Sequence, residues 1–248
     1  MVQIVCFMKE PIILLTACIN PEGAENTVLQ DCEERLKQYK LALDWYLQNT
    51  TNKITFVENS GYDISPLYRN QIEKGRLEVM TFQGNDYDKS RGKGYGEALI
   101  IEYAFNNSKF INETSQIVKV TGRLIISNIK TLMKTSGRYQ TVYIARQKIA
   151  PIGIMSISYF FIAPSKFFTD FFLHKLNLID DSKPYYFEML LMDEICNWER
   201  KGGKWREFWL PIQVYGISGS TGLSYNHGLM NYIKALVKFF YHKLPFYE

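Results

Sequence analysis

Short apolar runs alternate with helical patterns along the first half of the chain, and this alternation limits the folds open to it. Residues 11–17, 54–57, 77–82 and 116–120 are strand-like runs. After the first run, apolar side chains recur every three and four residues up to about Gln48, behind a predicted cap at Asn26 or Thr27. Strands that alternate with helices build a mostly parallel sheet with helices on its faces. The predicted fold class is therefore α/β.

A basic, glycine-rich loop over residues 89–96 precedes a helix predicted from about Gly94 to Asn106. A second basic glycine turn follows the next strand, at residues 121–123. Backbone N–H groups at the start of a helix, together with nearby cations, bind anions. The sequence therefore predicts a diphosphate site formed by Gly92, Lys93, Gly94, Lys119, Thr121, Gly122 and Arg123.

Two well-known phosphate motifs do not describe this loop. The P-loop needs a hydroxyl residue directly after its Gly-Lys pair, and here Gly94 follows Lys93. The dinucleotide fingerprint belongs to the first strand-to-helix turn, whereas this loop follows three strand-like runs. A solvated surface connection has a similar composition, so the loop alone does not establish a site.

The order of these motifs resembles the GT-A class of nucleotide-sugar glycosyltransferases, particularly small bacterial enzymes of capsule and lipopolysaccharide synthesis. The resemblance rests on the first strand and on segments 57–60, 92–98, 119–123 and 216–222. It implies one GT-A-like, Rossmann-type domain over residues 1–228. It also implies transfer of a sugar from a nucleotide-diphosphate donor to a surface glycan of capsule, lipopolysaccharide or O-antigen.

The same resemblance implies roles for two further groups of residues. The ends of the first two strands are expected to frame the donor nucleoside through Thr16, Ala17, Glu58, Asn59 and Ser60. A late loop is expected to close over the donor and exclude water, and it contains Ser218, Gly219, Ser220 and Thr221.

A helix predicted from about Pro184 to Arg200 carries the candidate catalytic carboxylates. At 100° per residue, Glu194 falls inside its apolar stripe and Glu188 lies at the edge. The resemblance implies that Glu188 deprotonates the acceptor hydroxyl in an inverting reaction, with Asp193 and Glu194 as alternatives. A glutamate within an apolar stripe is equally typical of a buried ion pair.

The sequence departs from the family at the metal site. GT-A enzymes commonly carry Asp-x-Asp after the strand that follows the glycine-lysine helix, and here that place holds Lys119 to Arg123. Fixed cations are then expected to replace the metal, so no cofactor is required. Asp86 and Asp88 form an Asp-x-Asp sequence, but they precede the helix predicted from about Gly94 to Asn106. A divalent cation such as Mn²⁺ or Mg²⁺ remains an alternative.

Composition limits the binding partners and the cellular location that the sequence predicts. The net charge of +4 is too small for the strongly basic face of a nucleic-acid-binding protein, so nucleic acid is not expected as a partner. The four cysteines form no Cys-x-x-Cys pair, and the three histidines are scattered, so no metal spacing is apparent. No apolar run approaches the ~20 residues of a membrane span. A cytoplasmic protein is predicted.

Residues 229–248 are predicted to form a separate basic and aromatic amphipathic helix. Lys234, Lys238 and His242 recur every four residues and line one face. This pattern is typical of an interfacial anchor, here at the cytoplasmic face of the inner membrane, where a lipid-linked glycan acceptor would lie. A terminal helix docked on the domain, with its basic stripe in solvent, has the same pattern.

Two other functions compete with glycosyl transfer. A nucleotidyltransferase uses a similar sheet, but normally has a basic glycine-rich loop directly after its first strand, and residues 16–20 contain neither glycine nor a basic residue. A non-catalytic glycan-binding or scaffold protein would keep the sheet without the Asp-x-Asp motif. Titration with nucleotide sugars distinguishes these functions.

Overall fold

The computed structural model describes residues 10–22, 29–136, 140–149, 153–218 and 222–225, with the single positions 233, 236 and 237. Its strands, β1 to β11, are Ile12–Ala17, Ile54–Glu58, Leu77–Thr81, Gln116–Thr121, Ile125–Ile126, Thr141–Ile144, Arg146–Ile149, Gly153–Ser156, Phe160–Pro164, Lys204–Glu207 and Val214–Tyr215. Its α-helices, α1 to α6, are Cys32–Asn49, Arg69–Glu73, Gly92–Asn107, Ile129–Thr135, Ser165–Phe167 and Phe187–Arg200. Short 3₁₀ segments occupy Ser65–Tyr68, Lys89–Arg91 and Leu173–Leu178, and Phe168–Phe172 is a π-helix.

Seven of the described strands form one sheet in the order β10-β6-β9-β4-β1-β2-β3. β1 is parallel to β2 and β4, whereas β9 is antiparallel to β4 and β6. In chain order, β2 pairs with one side of β1 and β3 pairs with β2; β4 then pairs with the other side of β1. The C-terminal ends of β1 and β4 therefore form the topological switch point, where open α/β sheets bind ligands. The predicted α/β domain with a mostly parallel sheet is confirmed.

Helices cover both faces of the sheet, which explains why its central strands are continuous apolar runs. Every residue of β1 is buried. Ile13 and Leu15 pack in the core beneath α1, while Ile12 and Leu14 pack in the core beneath α3 and α6. Successive side chains of a strand point to opposite faces, so one run supplies both cores.

Helix α1 begins later than predicted. The predicted caps, Asn26 and Thr27, lie outside the described residues, and the observed cap is Asp31, whose carboxylate accepts a hydrogen bond from the N–H of Glu34 at 2.8 Å. Near the other end of the helix, the Tyr46 hydroxyl donates to the carbonyl of Leu124 at 2.9 Å. This contact ties α1 to the segment that leaves β4.

In the second half of the chain, apolar runs in the sequence also predict a strand over residues 152–161, a helix from residue 163 and a strand over residues 209–215, and in the structure all three are shorter or divided. The strand predicted over residues 152–161 is split, because β8 ends at Ser156 and β9 begins at Phe160. The helix predicted from residue 163 is α-helical only over α5 before it becomes π and then 3₁₀. The strand predicted over residues 209–215 is reduced to β11. The predicted C-terminal helix lies largely outside the described residues, so the division into 1–228 and 229–248 stays a prediction.

Candidate functional site

A cleft of about 450 Å³ opens at the C-terminal ends of β1 and β4. β1 contributes Thr16 to its lining and β4 contributes Thr121. The first turn of α3 contributes Lys93, and the first turn of α6 contributes Glu188. The cleft therefore lies at the switch point of the sheet and is shared by both helices of one core layer.

The cleft brings together predicted site residues from distant parts of the chain. The members that line it are Thr16, Ala17, Asn59, Lys93, Gly94, Thr121, Arg123, Glu188 and Ser218. The rest of the predicted late loop, Gly219, Ser220 and Thr221, lies outside the described residues. The roles predicted for all of these residues stay predictions.

Three cationic side chains lie along the lining: Arg35, which donates hydrogen bonds to the carbonyl of Cys18, and Lys93 and Arg123. Lys93 is on the first turn of α3, where the helix dipole adds a partial positive charge. Arg123 follows β4, and its Nη1 donates a hydrogen bond to the carbonyl of Ile217 at 2.9 Å. This bond ties the guanidinium to the segment that leads into the late loop. This part of the cleft is therefore suited to an anion.

Carboxylates occupy another part of the lining. Glu188 accepts a hydrogen bond from the hydroxyl of Ser158, which lies between β8 and β9. Asp181 also lines the cleft. Burial and repulsion by Glu188 raise the pKa of the Asp181 carboxyl, and the Lys93 ammonium partly opposes this rise. The cleft thus has both cationic and anionic parts.

Lys119 is not part of the lining. Its side chain is fully buried in β4, and its Nζ lies 2.7 Å from Oε1 of Glu97, which does line the cleft. Nζ also donates to the carbonyl of Ser158 at 2.7 Å. The predicted direct contact between Lys119 and a diphosphate does not fit this geometry, because its charge is already paired beneath the cleft floor.

Glu58 and Ser60 also lie outside the lining and instead shape the loops beside it. The Glu58 carboxylate accepts hydrogen bonds from the backbone N–H groups of Ile19, Ser60 and Tyr62, at 2.9, 2.9 and 2.8 Å. Burial raises the pKa of Glu58, although these hydrogen bonds oppose the rise. Glu58 thereby fixes the loop after β1 against the loop after β2, and the nucleoside contacts predicted for Glu58 and Ser60 stay predictions.

Gly92 and Gly122 are points of close approach rather than lining residues. Gly92 has a φ of 81°, and a Cβ there would lie 1.9 Å from Oδ2 of Asp181. A Cβ at Gly122 would lie 2.8 Å from the carbonyl oxygen of Thr16, to which the Gly122 N–H donates at 2.8 Å. Both glycines let neighbouring segments reach the cleft, and direct ligand contacts from them stay predictions.

Asp193 and Glu194 do not reach the cleft. Glu194 is buried, and its Oε1 accepts hydrogen bonds from Lys175 Nζ at 2.6 Å and Asn197 Nδ2 at 3.0 Å. Asp193 accepts a hydrogen bond from the Tyr185 hydroxyl at 2.6 Å. Of the three carboxylates predicted for catalysis, Glu188 therefore has the geometry to meet a ligand.

Sequence analysis missed several polar residues of the lining, among them Glu97, Ser158 and Asp181. The signal for Glu97 was its spacing, because it lies four residues after Lys93 and so shares a face of α3 with that lysine. Asp181 lies in an irregular segment between the 3₁₀ turn and α6. No periodicity in the sequence indicates where such a side chain lies.

The residues at the end of β4 do not fit a divalent cation. They are Thr121, Gly122 and Arg123, and a guanidinium repels the metal that carboxylates would bind. Asp88 caps a 3₁₀ turn by accepting a hydrogen bond from the Ser90 N–H at 3.0 Å, and neither Asp88 nor Asp86 lines the cleft. In the part of the chain that is described, no three His, Cys, Asp or Glu side chains group as metal ligands.

Among the described helices, none has the length and apolar character needed to cross a bilayer. No protein-family model matches the sequence, and no curated protein matches it.

Solved structures are similar to this chain in fold. The inositol-1-phosphate CTP transferase from T. maritima is 9% identical over 93% of this chain and 98% of its own, with a TM-score of 0.50. The nucleoside-diphosphate-sugar pyrophosphorylase from Vibrio cholerae RC9 is 12% identical over 79% and 91% of the two chains, with a TM-score of 0.42. S. aureus TarS in complex with UDP is 12% identical over 75% of this chain and 55% of its own, with a TM-score of 0.41. The likeness to the CTP transferase is one of fold alone.

Proposed function

We propose that the protein is a glycosyltransferase that moves a sugar from a nucleotide-diphosphate donor to a surface-glycan acceptor of capsule, lipopolysaccharide or O-antigen. The observation that carries this proposal is the convergence of Lys93, Arg123 and Glu188 on one cleft at the switch point of the sheet. A departing diphosphate is stabilised by fixed cations, and an acceptor hydroxyl is activated by a carboxylate base. The cleft supplies both.

Each part of the cleft has a role in this reaction. Lys93 and Arg123 bind the diphosphate and stabilise the charge that develops on it as the bond between the anomeric carbon and the phosphate oxygen breaks. Thr16, Ala17 and Asn59 lie at the end of the cleft proposed for the nucleoside.

Glu188 is the proposed base of an inverting reaction. It removes the proton of the acceptor hydroxyl while the acceptor oxygen attacks the anomeric carbon, and Ser158 orients its carboxylate. In a retaining reaction Glu188 would instead orient the substrate or stabilise the oxocarbenium ion.

Donor binding is the direct test. Thermal-shift measurements with UDP-, GDP-, CMP- and dTDP-sugars should give a rise in Tm for at least one donor, because a ligand that binds only the folded state stabilises it. Arg123→Ala should weaken binding of that donor by about 10- to 100-fold, the usual effect of losing a charge-assisted contact. Arg69→Ala is the matched control, since Arg69 is exposed on α2 away from the cleft.

The outcomes distinguish the candidate functions. A folded protein that binds none of these donors would contradict glycosyl transfer and favour a non-catalytic glycan-binding or scaffold protein. Turnover should persist in EDTA, since Arg123 occupies the place of the metal-binding carboxylates. Complete loss in EDTA with rescue by Mn²⁺ would instead implicate carboxylates such as Asp86 and Asp88.

Nucleotidyl transfer is the second candidate, because the fold is shared with a protein described as a CTP transferase. It predicts release of pyrophosphate from a nucleoside triphosphate and a sugar phosphate. The loop after β1 argues against it, since residues 18–22 contain neither glycine nor a basic residue. The nearby Arg35 donates hydrogen bonds from Nε and Nη2 to the carbonyl of Cys18, at 2.8 and 2.5 Å, and so is engaged with the loop backbone.

We also propose that the protein acts at the cytoplasmic face of the inner membrane, on a glycan or lipid-linked glycan acceptor. The basic and aromatic pattern of residues 229–248 supports this location. Within that segment, Ile233 and Val237 are described and their side chains are exposed.

A further inference from the structure

The two oxygens of the Glu97 carboxylate have different surroundings. Oε1 accepts hydrogen bonds from Thr16 Oγ1 at 2.7 Å and Thr121 Oγ1 at 2.9 Å, and it lies 2.7 Å from Lys119 Nζ. All three of these contacts use Oε1. The side chain is 19% exposed and lines the cleft. Oε2 therefore belongs to a lining side chain and takes no part in these three contacts.

Glu97 is an anion held rigidly in place. Burial raises the pKa of its carboxyl, but the Lys119 ammonium and the hydroxyls of Thr16 and Thr121 outweigh burial, and the pKa is lowered overall. Lys119 lies beneath with no exposed side-chain surface, and it is also anchored to the Ser158 carbonyl. A carboxylate fixed by donors on one oxygen presents its other oxygen in a defined position.

We propose that Oε2 of Glu97 accepts a hydrogen bond from a hydroxyl group of the bound nucleotide sugar and thereby fixes which part of the donor lies over the junction of β1 and β4. An anionic oxygen binds O–H donors strongly and repels phosphate. A nucleotide sugar has two sources of such a hydroxyl, the ribose and the transferred sugar. This inference rests on the proposed function, since it requires a nucleotide sugar in the cleft.

The competing role for Glu97 is that of a counter-ion for Lys119 and nothing more. A buried lysine needs such a partner, and removal of that partner is strongly destabilising. A counter-ion role accounts for the contacts of Oε1. It does not account for a carboxylate in the lining of the cleft between Thr16 and Thr121, near the C-terminal ends of β1 and β4.

The test compares binding of nucleotides with and without their sugars. UDP, UDP-glucose, GDP and GDP-mannose are titrated calorimetrically into the wild-type protein and into Glu97→Gln. Loss of a hydrogen bond to a charged group should weaken binding by about tenfold or more. If the transferred sugar supplies the hydroxyl, the conjugate loses affinity and the nucleotide does not. If the ribose supplies it, the nucleotide and the conjugate lose affinity equally. The deoxynucleotide that lacks the bound hydroxyl, either the 2′- or the 3′-deoxy form, then binds the wild type and Glu97→Gln with equal affinity.

Two further variants separate ligand binding from stability. Glu102→Gln is the matched control, because Glu102 lies on α3 outside the cleft lining and its change should leave affinity unaltered. The double variant Glu97→Gln with Lys119→Met removes both buried charges together. It should recover thermal stability relative to Glu97→Gln without recovering the affinity for the hydroxyl-bearing ligand.

The result that overturns the inference is unchanged affinity of Glu97→Gln, or of the stabilised double variant, for every nucleotide and conjugate that the wild type binds. Recovery of affinity together with stability in the double variant would also overturn it, and would leave Glu97 as a counter-ion. If the wild type binds none of the four ligands and none of the CMP- and dTDP-sugars, the proposed function itself fails. The two failures are therefore distinguishable.

Discussion

Glu188 and Glu194 lie on the same helix, but their surroundings differ. The same substitution should therefore lower the rate of transfer at Glu188 and the thermal stability at Glu194. Glu188→Gln keeps the shape of a side chain that lines the cleft and removes its ability to accept a proton. Sugar transfer should fall by about 10²–10⁴-fold, the usual contribution of a general base, while donor affinity stays near that of the wild type. Steady-state kinetics and calorimetry on the purified variant measure the two quantities.

Glu194→Gln is the companion variant. It removes the buried partner of Lys175, so Tm should fall while the rate per folded molecule is retained. A well-folded but inactive Glu194→Gln protein, beside a Glu188→Gln protein of near wild-type rate, would place the base on the other stripe of α6.

At this scale, sequence analysis found cleft-lining residues whose position follows from the end of a regular element, while their roles stay predictions. Thr16, Thr121 and Arg123 end or follow strands, and Lys93 begins a helix, so strand and helix boundaries locate them. The predicted diphosphate contact of Lys119 does not fit the structure. Strand periodicity indicates which face of the sheet a side chain occupies, but not which residue it contacts. The side chain of Lys119 reaches Glu97, which belongs to a helix packed on the same face of the sheet.

The packing of β4 against β1 leaves no room for a side chain at Gly122. In Gly122→Ala the new methyl group would lie 2.8 Å from the backbone oxygen of Thr16, in the centre of the sheet. Because that oxygen cannot move without loss of strand pairing, we expect the free energy of unfolding to fall by about 1–3 kcal/mol. Equilibrium urea denaturation measures this change.

Gly94→Ala is the matched comparison. Its nearest contact would be Cβ of Phe187 at 3.0 Å, and alanine favours a helix over glycine by up to about 1 kcal/mol. The two effects oppose each other, so stability should change little. A Gly122→Ala protein as stable as Gly94→Ala would show that β1 and β4 tolerate a wider spacing.

The elements that the sequence predicted well are those with a clear local pattern. β1, β2, β3 and β4 are short apolar runs bounded by turns, and α3 begins at a glycine-rich loop. Apart from α6, the elements after residue 150 were predicted less well, because their form depends on packing. The aromatic segment 165–178 passes from α to π to 3₁₀ geometry, and local propensity does not encode such changes.

At the scale of the whole molecule, the basic and aromatic pattern of residues 229–248 predicts contact with a membrane surface. Full-length protein should sediment with anionic vesicles in a salt-sensitive way, since each basic residue near an anionic surface contributes about 1 kcal/mol. A chain that ends at Asn226 should remain folded and unbound. Vesicle sedimentation and circular dichroism measure the two properties. Equal sedimentation of both chains, or unfolding of the shorter one, would favour a helix docked on the domain.

The cleft takes its lining from β1, α3, β4, the turn before β9 and α6, which are spread across most of the chain. Synthesis on the ribosome proceeds from the N-terminus, so the strands that carry Thr16 and Thr121 emerge well before the helix that carries Glu188. A nascent chain that lacks α6, or the segment up to Tyr225, has no complete cleft. Binding of a ligand in this cleft would therefore report that translation has passed residue 225 and that the polypeptide has reached its native topology.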